Sequence, residues 1–303
     1  MSEARTHILL TGGDGQVGTE LQRLAPPHWR IFAPDEHELD LTDQASIEAA
    51  FAAETWSAVI NAGAYTAVDK AESDIITAWR VNAIGPAAMA EATARAGVPL
   101  IQVSTDYAFS GDKPGFYVEG DPVAPLGVYG ASKEGGEQAV RTGNPRHVIL
   151  RTAWLVSPHG ANFVKTMLRL GAERDTLRVV DDQRGCPTSA TDVAMALLTI
   201  AERLIADPKA PTGDYHFVND GEASWCEFAR AIFETAAAYG RVAPTVEAIT
   251  TADYPTPARR PVNSRLSTAK IRRDFRIEPR PWRVAMEEIV ARLLTPNDDR
   301  AAK

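Results

Sequence analysis

Short apolar runs alternate with longer amphipathic segments along the first half of the chain. The runs cover residues 7–11, 29–33, 57–63, 98–103 and 146–152, and each predicts a strand. The first is of the kind buried in a parallel sheet. The segments between them, above all residues 74–96, have helical periodicity. Strands that alternate with such helices predict right-handed βαβ units and an α/β fold, a Rossmann-type doubly wound parallel sheet.

The alternation loosens beyond residue 153. Helices are predicted over residues 162–170, 190–204, 224–239 and 281–294, with a loop at 181–188 and a short strand at 215–218. We therefore expect a dinucleotide-binding domain over residues 1–153. Residues 154–303 are expected to form mainly a smaller C-terminal substrate-binding lobe, part of which returns to the core sheet.

A loop rich in proline and arginine covers residues 254–266. Prolines reduce the entropy lost when a loop is ordered, which suits a loop that shapes a pocket. Its arginines, Arg259, Arg260 and Arg265, could bind a substrate diphosphate through charge-assisted hydrogen bonds or pair with surface carboxylates. The sequence leaves both interpretations open.

Composition restricts the class of protein. The 303 residues carry a net charge of −8, and the 45% hydrophobic and 24% charged fractions are ordinary for a soluble globular protein. The negative charge argues against a broad surface for nucleic acid or anionic membranes. Cys186 and Cys226 lie in different segments, so there is no disulfide framework and no metal-ligand spacing. Because no apolar signal segment and no run of about 18 apolar residues occurs, we expect a cytoplasmic protein without a membrane span.

Three glycines mark the turn from the first predicted strand into the first helix. Gly12, Gly15 and Gly18 form a G-x-x-G-x-x-G pattern. The first permits a tight turn, the second lets the backbone approach a pyrophosphate, and the third lets the helix pack on the strand. The helix N-terminus adds free N–H groups and a positive dipole. The pattern predicts a dinucleotide site, although a merely tight turn would also account for it.

The second predicted strand leads into the segment that would face the adenosine. An acidic residue there favours NAD, and an arginine favours NADP. Asp35 and Glu36 lie slightly further from the strand than the acidic residue that favours NAD, and no arginine follows the strand directly. The choice between NADH and NADPH therefore stays open. Asp40 could meet the adenine edge or belong to a turn or helix cap.

Tyr129 and Lys133 are four residues apart in a predicted helix. Thr105 ends the preceding strand, where its hydroxyl could reach the same ligand oxygen as the phenol of Tyr129. Side chains at i and i+4 share one helix face, so the ammonium would lie beside the phenol. A unit charge roughly 4 Å away contributes on the order of 4 kcal/mol at an effective dielectric of about 20. We therefore expect the pKa of Tyr129 to fall by about three units from its usual value near 10, towards the range of an efficient general acid. A core tyrosine followed by a solvated lysine would have the same spacing.

These motifs resemble those of the extended short-chain dehydrogenases/reductases and, more narrowly, those of the dTDP-4-dehydrorhamnose reductases. The resemblance covers nearly the whole chain. It is carried by residues 11–18, 61–72, 103–109, 128–133, 151–154, 180–183 and 254–261. The glycine and Tyr/Lys motifs are shared by the superfamily, whereas the last three stretches resemble the rhamnose-pathway reductases specifically.

The resemblance implies a role for each matching position. Tyr129 would be the proton donor, Lys133 would hold the nicotinamide ribose and tune the phenol, and Thr105 would assist them. Besides Tyr129 and Lys133, the implied cofactor-binding residues are Gly12, Gly15, Gln16, Val17, Gly18, Asp40, Leu41, Ala62, Ala64, Tyr65, Thr66 and Val103. The implied substrate-binding residues are Thr105, Asp106 and Trp154.

The implied reaction is the reduction, by NADPH or NADH, of the C4 ketone of dTDP-4-dehydro-L-rhamnose, the last step of dTDP-rhamnose synthesis. Two alternatives stay open. One is another nucleotide-sugar epimerase or dehydratase of the superfamily, although Asp106-Tyr107 after Thr105 departs from the Asp-Glu common in dehydratases. The other is a non-catalytic regulatory subunit similar to the β subunit of methionine adenosyltransferase.

The resemblance also bears on metal and assembly. Some family members form a homodimer bridged by Mg²⁺ through acidic side chains. Glu20 matches one of those positions, but no second matching Glu-Asp pair occurs around residues 189–193. We therefore assign no metal ligand, interpret Glu20 as a solvated helix residue, and leave the Mg²⁺ requirement, the homodimer and the nucleotide specificity open.

Overall fold

The computed structural model describes residues 6–295. Within this range the strands are β1 (Thr6–Thr11), β2 (Trp29–Phe32), β3 (Ala58–Asn61), β4 (Leu100–Thr105), β5 (His147–Thr152), β6 (Leu155–Val156), β7 (Thr176–Val180), β8 (Arg184–Gly185), β9 (Thr188–Ser189), β10 (Gly213–His216), β11 (Ala223–Ser224), β12 (Thr245–Ile249) and β13 (Asn263–Ser264). The α-helices are α1 (Gln16–Leu24), α2 (Gln44–Ala53), α3 (Val68–Ala71), α4 (Ile75–Trp79), α5 (Gly85–Ala96), α6 (Val128–Gly143), α7 (Phe163–Glu173), α8 (Ala190–Ala206), α9 (Trp225–Ala237), α10 (Ala269–Phe275) and α11 (Trp282–Leu294). The segment before Thr6, where we expected no targeting signal, lies outside this range. No helix in the described range is long and apolar enough to cross a membrane.

The main sheet has six parallel strands in the order β2-β1-β3-β4-β5-β10. It contains all five strands predicted in the first half of the chain, which confirms the α/β architecture. The strand order changes direction between β1 and β3. In open α/β sheets, ligands bind outside the carboxyl ends of the strands at such a switch point.

Alternate residues of the central strands β1, β3, β4 and β5 enter two apolar cores on opposite faces of the sheet. On β1, Ile8 and Leu10 belong to the core that α1 and α8 cover, whereas Leu9 belongs to the core that α2 and α5 cover. All three side chains are fully buried. Burial on both faces explains why this run is continuously apolar and does not alternate.

The long helix predicted over residues 74–96 is interrupted. A π-helical turn, Arg80–Ile84, separates α4 from α5. Pro86, in the first turn of α5, has no N–H, so the Asn82 carbonyl cannot accept the usual i+4 hydrogen bond. Such turns are frequent at functional sites, and here Asn82 is buried.

Residues beyond β5 form another apolar core, in which α7, α9 and α11 pack together. Ser224 caps α9 as predicted: its hydroxyl accepts from the Glu227 N–H at 3.0 Å, and the Glu227 carboxylate accepts from the Ser224 N–H at 2.7 Å. The parallel pair of β7 and β12 was not predicted. Nor were β8, which lies within the predicted loop at 181–188, and β9, which begins at the last residue of that loop.

Candidate active site

The turn between β1 and α1 presents a helix N-terminus at the switch point. The first N–H groups of α1, from Gln16 onward, have no side-chain cap from Gly15 and are oriented to receive an anion. A Cβ on Gly18 would lie 2.1 Å from the Gly12 carbonyl oxygen, and one on Gly12 would lie 2.6 Å from the Gly63 amide nitrogen. Both positions need glycine because backbone meets backbone there.

Gly15 differs from these two glycines. A Cβ there would meet only the Gly12 carbonyl oxygen, at 3.2 Å, among the atoms of residues 6–295. The space beyond Gly15 is therefore open, which lets a ligand approach the helix N-terminus closely, as a diphosphate requires. This turn fits a dinucleotide cofactor. Val17, two residues after Gly15, is buried beneath this turn.

The adenosine side of the switch point lies between the end of β3 and the segment after β2. A Cβ on Gly63 would lie 2.8 Å from Leu41 Cδ1, so these two segments touch. Asp40 is exposed, and its Oδ1 accepts from the Thr42 N–H at 2.7 Å. The turn role that the sequence had left open for Asp40 is therefore present, and its second carboxylate oxygen can still accept from a ligand.

The loop after β3 is held in place by Asn82. Its side chain accepts from the Tyr65 N–H at 2.8 Å and donates to the Tyr65 carbonyl oxygen at 3.0 Å. It also donates to Ser132 Oγ at 3.0 Å, which ties the loop to α6. Sequence reasoning missed Asn82, although Pro86 was a signal that the helix around it would be irregular. In the same loop Ala62 and Ala64 are half-buried and Thr66 is exposed.

Tyr129 and Lys133 lie on α6, beside the carboxyl end of β4. Lys133 is buried, and its Nζ donates to the Val103 carbonyl oxygen at 2.8 Å. Tyr129 is half-buried as a residue, and its phenol lies near the Thr105 hydroxyl. The structure thus brings Tyr129, Lys133, Thr105 and Val103 to the edge of the sheet where ligands are expected.

The pKa values in this cluster differ from the expectation. Burial raises the pKa of Tyr129 above its usual value, and the nearby Thr105 hydroxyl opposes this only in part. Burial also lowers the pKa of Lys133 to about 8, although the Glu137 carboxylate acts in the opposite direction. The predicted fall in the pKa of Tyr129 is therefore wrong, because burial dominates and the Lys133 ammonium bonds to a backbone carbonyl. At neutral pH the cluster holds a protonated phenol and an ammonium.

Asp106 follows Thr105 and is buried. Its Oδ1 accepts from Thr105 Oγ1 at 3.1 Å, and its Oδ2 has no hydrogen-bond partner in the part of the chain that the structure describes. Burial raises the pKa of Asp106 to about 6, offset in part by the hydroxyls of Ser264 and Thr105. Tyr107 packs edge-to-face on Tyr129, with ring centroids 5.4 Å apart. The free oxygen of Asp106 can accept a hydrogen bond from a ligand hydroxyl.

A cavity of about 970 Å³ opens next to this cluster, lined by Tyr107 and by residues of the C-terminal core. Trp154 lines it with a backbone φ of 48°, and its ring stacks on Trp225 at a centroid distance of 3.5 Å. A Cβ on Gly185 would lie 2.3 Å from the Trp154 ring, so glycine there makes room for the indole. Backbone strain of this kind clusters at ligand sites.

Within the described residues 6–295, Arg260 lines the cavity, and the other two arginines of the loop at 254–266 do not. The Arg260 guanidinium donates to Asp69 Oδ2 at 2.6 Å. The pairs Arg260–Asp69 and Arg265–Glu222, the latter at 2.8 Å, fit the surface interpretation, and Arg259 is exposed. Sequence reasoning missed two other cationic residues that line the cavity, Arg174 and Arg178.

Glu20 is fully buried on α1, so its interpretation as a solvated residue is wrong. Its carboxylate accepts from Arg23 Nε at 2.9 Å, Arg292 Nη1 at 3.1 Å and Thr191 Oγ1 at 3.1 Å, and lies 2.7 Å from His159 Nε2. Burial alone would raise its pKa, but these partners lower it to about 2. Because a divalent cation would have to displace these donors, the residues do not fit Mg²⁺. Residues 6–295 contain no group of three or more acidic, histidine or cysteine side chains that could hold a metal.

The free helix N-terminus at the switch point, together with the Tyr129, Lys133 and Thr105 cluster, is the arrangement of an extended short-chain dehydrogenase/reductase. A family model described as RmlD substrate binding domain matches residues 6–295, and the chain belongs to this family.

Named relatives agree with this placement. The dTDP-4-dehydrorhamnose reductase of Sinorhizobium fredii is 43% identical over 96% of this chain and 99% of its own length. The solved structure of a dTDP-4-dehydrorhamnose reductase from Clostridium acetobutylicum has a TM-score of 0.90 at 36% identity, covering 96% of this chain and 100% of that chain. That from Bacillus anthracis, in complex with NADP, has a TM-score of 0.88 at 34% identity, covering 95% and 100%.

Proposed function

We propose that the protein is an NADPH- or NADH-dependent oxidoreductase that reduces the C4 ketone of dTDP-4-dehydro-L-rhamnose to dTDP-L-rhamnose, the last step of dTDP-rhamnose synthesis. The observation that carries the proposal is the meeting of Tyr129, Lys133 and Thr105 between a dinucleotide-binding turn and a cavity lined by Trp154. Near-full-length similarity to proteins named as this reductase supports the same activity. It favours neither an epimerase or dehydratase nor a regulatory subunit.

The cofactor is assigned to the switch point of the sheet. Its diphosphate would lie over the N-terminus of α1, its adenosine beside Asp40 and Leu41, and its nicotinamide beside Val103. Lys133 uses one of its three ammonium donors on the Val103 carbonyl, and the others are suited to the hydroxyls of a ribose. The remaining residues proposed to contact the cofactor are Gly12, Gly15, Gln16, Val17, Gly18, Ala62, Ala64, Tyr65, Thr66 and Tyr129.

The substrate is assigned to the cavity. Its deoxysugar would pack on the Trp154 indole, and a sugar hydroxyl would donate to Asp106 Oδ2. Arg260 supplies positive charge for a diphosphate, assisted by Arg174 and Arg178. The ketone oxygen would then face Tyr129 and Thr105.

The bound nicotinamide supplies the hydride that reaches C4. Tyr129 keeps its proton at neutral pH because its pKa is raised, and its hydroxyl donates that proton to the carbonyl oxygen as negative charge develops there. The Thr105 hydroxyl and the Lys133 ammonium stabilise the charge, which finally rests on the Tyr129 oxygen. These interactions strengthen as the charge appears, and interactions of this kind lower the barrier.

The test is to follow NADPH and NADH oxidation by absorbance with enzymatically prepared dTDP-4-dehydro-L-rhamnose. Stoichiometric oxidation with formation of dTDP-L-rhamnose is expected, and the two rates rank the cofactors. An epimerase would return its cofactor to the starting redox state, so turnover without net oxidation would contradict the proposal. Tight cofactor binding without turnover would favour a regulatory subunit.

Two further expectations belong to this proposal. We propose that the protein acts in the cytoplasm, which its two free and buried cysteines, Cys186 and Cys226, support because thiols stay reduced there. The homodimer stays a prediction, which light scattering coupled to size-exclusion chromatography would test.

A further inference from the structure

Gln16, the first residue of α1, binds the loop that joins β6 to α7, residues 157–162. Its Oε1 accepts from Ser157 Oγ at 2.8 Å and from Asn162 Nδ2 at 3.0 Å. A Cβ on Gly160 would lie 3.5 Å from Gln16 Cγ, so the loop backbone also lies against this side chain. Ser157 is fully buried. The loop is therefore fixed to the residue whose N–H opens the cofactor helix.

Glu20 binds the same loop one helical turn further along α1. Its Oε1 lies 2.7 Å from His159 Nε2 and also accepts from Arg292, and its Oε2 accepts from Arg23. Because Glu20 is fully buried and surrounded by positive groups, it cannot move without breaking several charge-assisted hydrogen bonds. It ties His159, in the middle of the loop, to α1, so the loop follows this helix.

The other end of loop 157–162 reaches the substrate cavity. Asn162 caps α7 by accepting from the Lys165 N–H at 3.3 Å, and it lines the cavity itself. The next residues of α7 on that side, Phe163, Thr166 and Met167, line the cavity too. One amide, that of Asn162, thus contacts the cofactor helix through its nitrogen and caps the cavity helix through its oxygen.

We propose that loop 157–162 couples the dinucleotide site to the nucleotide-sugar cavity, so that a bound cofactor tightens binding of the nucleotide. This inference rests on the proposed function. A diphosphate at the N-terminus of α1 would immobilise its first turn and, through Gln16, the loop and the start of α7. The second ligand then meets a cavity wall that is already ordered, which gives positive coupling. Linkage makes the effect reciprocal.

Calorimetric titration of dTDP into the full-length enzyme, with and without saturating NADP⁺, tests the coupling. Wild type should bind dTDP at least about fivefold more tightly with NADP⁺. Ser157→Ala and His159→Gln, whose side chains do not line the cavity, should bring the two affinities together while leaving dTDP affinity without NADP⁺ near wild type. Tyr215→Phe is the matched control, because it removes a buried hydroxyl in the edge strand β10 that donates to Asp274 at 3.0 Å. It should keep the wild-type ratio of the two dTDP affinities.

The outcomes separate this inference from the proposed function. Equal dTDP affinities with and without NADP⁺ in wild type would overturn the coupling and leave the reductase assignment intact. An unchanged ratio in both loop variants would overturn the role of loop 157–162. An enzyme that binds NADP⁺ but no dTDP would overturn the inference and the substrate assignment together.

Discussion

Replacing Glu137 by glutamine tests the structure behind the catalytic cluster. Glu137 is fully buried on α6, one turn after Lys133. Its Oε1 accepts from Ser104 Oγ at 2.5 Å and from Arg151 Nε at 2.9 Å, and its Oε2 accepts from Arg141 Nη2 at 2.6 Å. The residue therefore joins the helix that carries Tyr129 and Lys133 to the strands β4 and β5. Sequence reasoning missed it.

The expected loss of stability follows from Arg151. This guanidinium is 1% exposed, and without the Glu137 charge its remaining carboxylate is Asp214 at 3.5 Å. Removing one partner of a buried ion pair costs about 3–5 kcal/mol, because the other charge stays buried and uncompensated. For a chain of this size that corresponds to a fall in melting temperature of about 5–8 °C. Differential scanning calorimetry would measure it.

The same substitution should move the pH dependence of turnover. The Glu137 carboxylate raises the pKa of Lys133, which burial has lowered to about 8, so its removal should lower that pKa further. Activity needs the ammonium and is lost as the pH rises through the pKa of Lys133. The alkaline limb of kcat/KM should therefore lie at lower pH in Glu137→Gln than in wild type.

Ser104→Ala is the matched control, because it removes one hydrogen bond to Glu137 and keeps the charge. It should cost about 1 kcal/mol and leave the alkaline limb in place. If Glu137→Gln melts no lower than Ser104→Ala, the buried network contributes less than its geometry implies. If the alkaline limb stays where it is, Lys133 does not set it.

Three other outcomes are expected. Tyr129→Phe should reduce turnover by about 10²–10⁴-fold and retain NADPH binding in fluorescence titration, and unchanged turnover would exclude Tyr129 as proton donor. The folded-state pKa of Asp106, about 6, is above its unfolded value, so its ionisation costs stability as the pH rises through 6. Asp106→Asn should therefore raise the melting temperature at neutral pH but not below pH about 4, and an equal shift at both pH values would contradict this. EDTA should leave turnover unchanged because cationic side chains and His159 surround Glu20; a loss reversed by Mg²⁺ would refute this.

The strands and the glycine turn could be predicted because their signals are local. A strand buried on both faces must be apolar throughout, and this is visible at Ile8, Leu9 and Leu10. A turn in which backbone meets backbone must contain glycine, as at Gly18. The helix break at Asn82 was missed although Pro86 lies in the middle of the helix predicted over residues 74–96, where its missing N–H interrupts the hydrogen bonding.

The buried charges could not be predicted, because their partners are distant in sequence. Glu20 occupies a polar position of a short amphipathic helix and would face solvent if α1 stood alone. Its partners His159 and Arg292 are 139 and 272 residues away. Only the packing of α1 against α8, α11 and loop 157–162 removes water from this carboxylate, and no local pattern encodes that packing.

The wrong prediction for Tyr129 has the same origin and a consequence for mechanism. The spacing to Lys133 predicted an adjacent charge, but the pKa also depends on burial, which raises it. A phenol with a raised pKa remains protonated throughout the neutral range, which is the form that reduction of a ketone requires. Tyr129 should therefore contribute no limb to the pH profile near neutrality. Lys133 then sets the alkaline limb of the pH profile. A shift of this limb in Glu137→Gln, with no shift in Ser104→Ala, would therefore assign the limb to Lys133 and not to Tyr129.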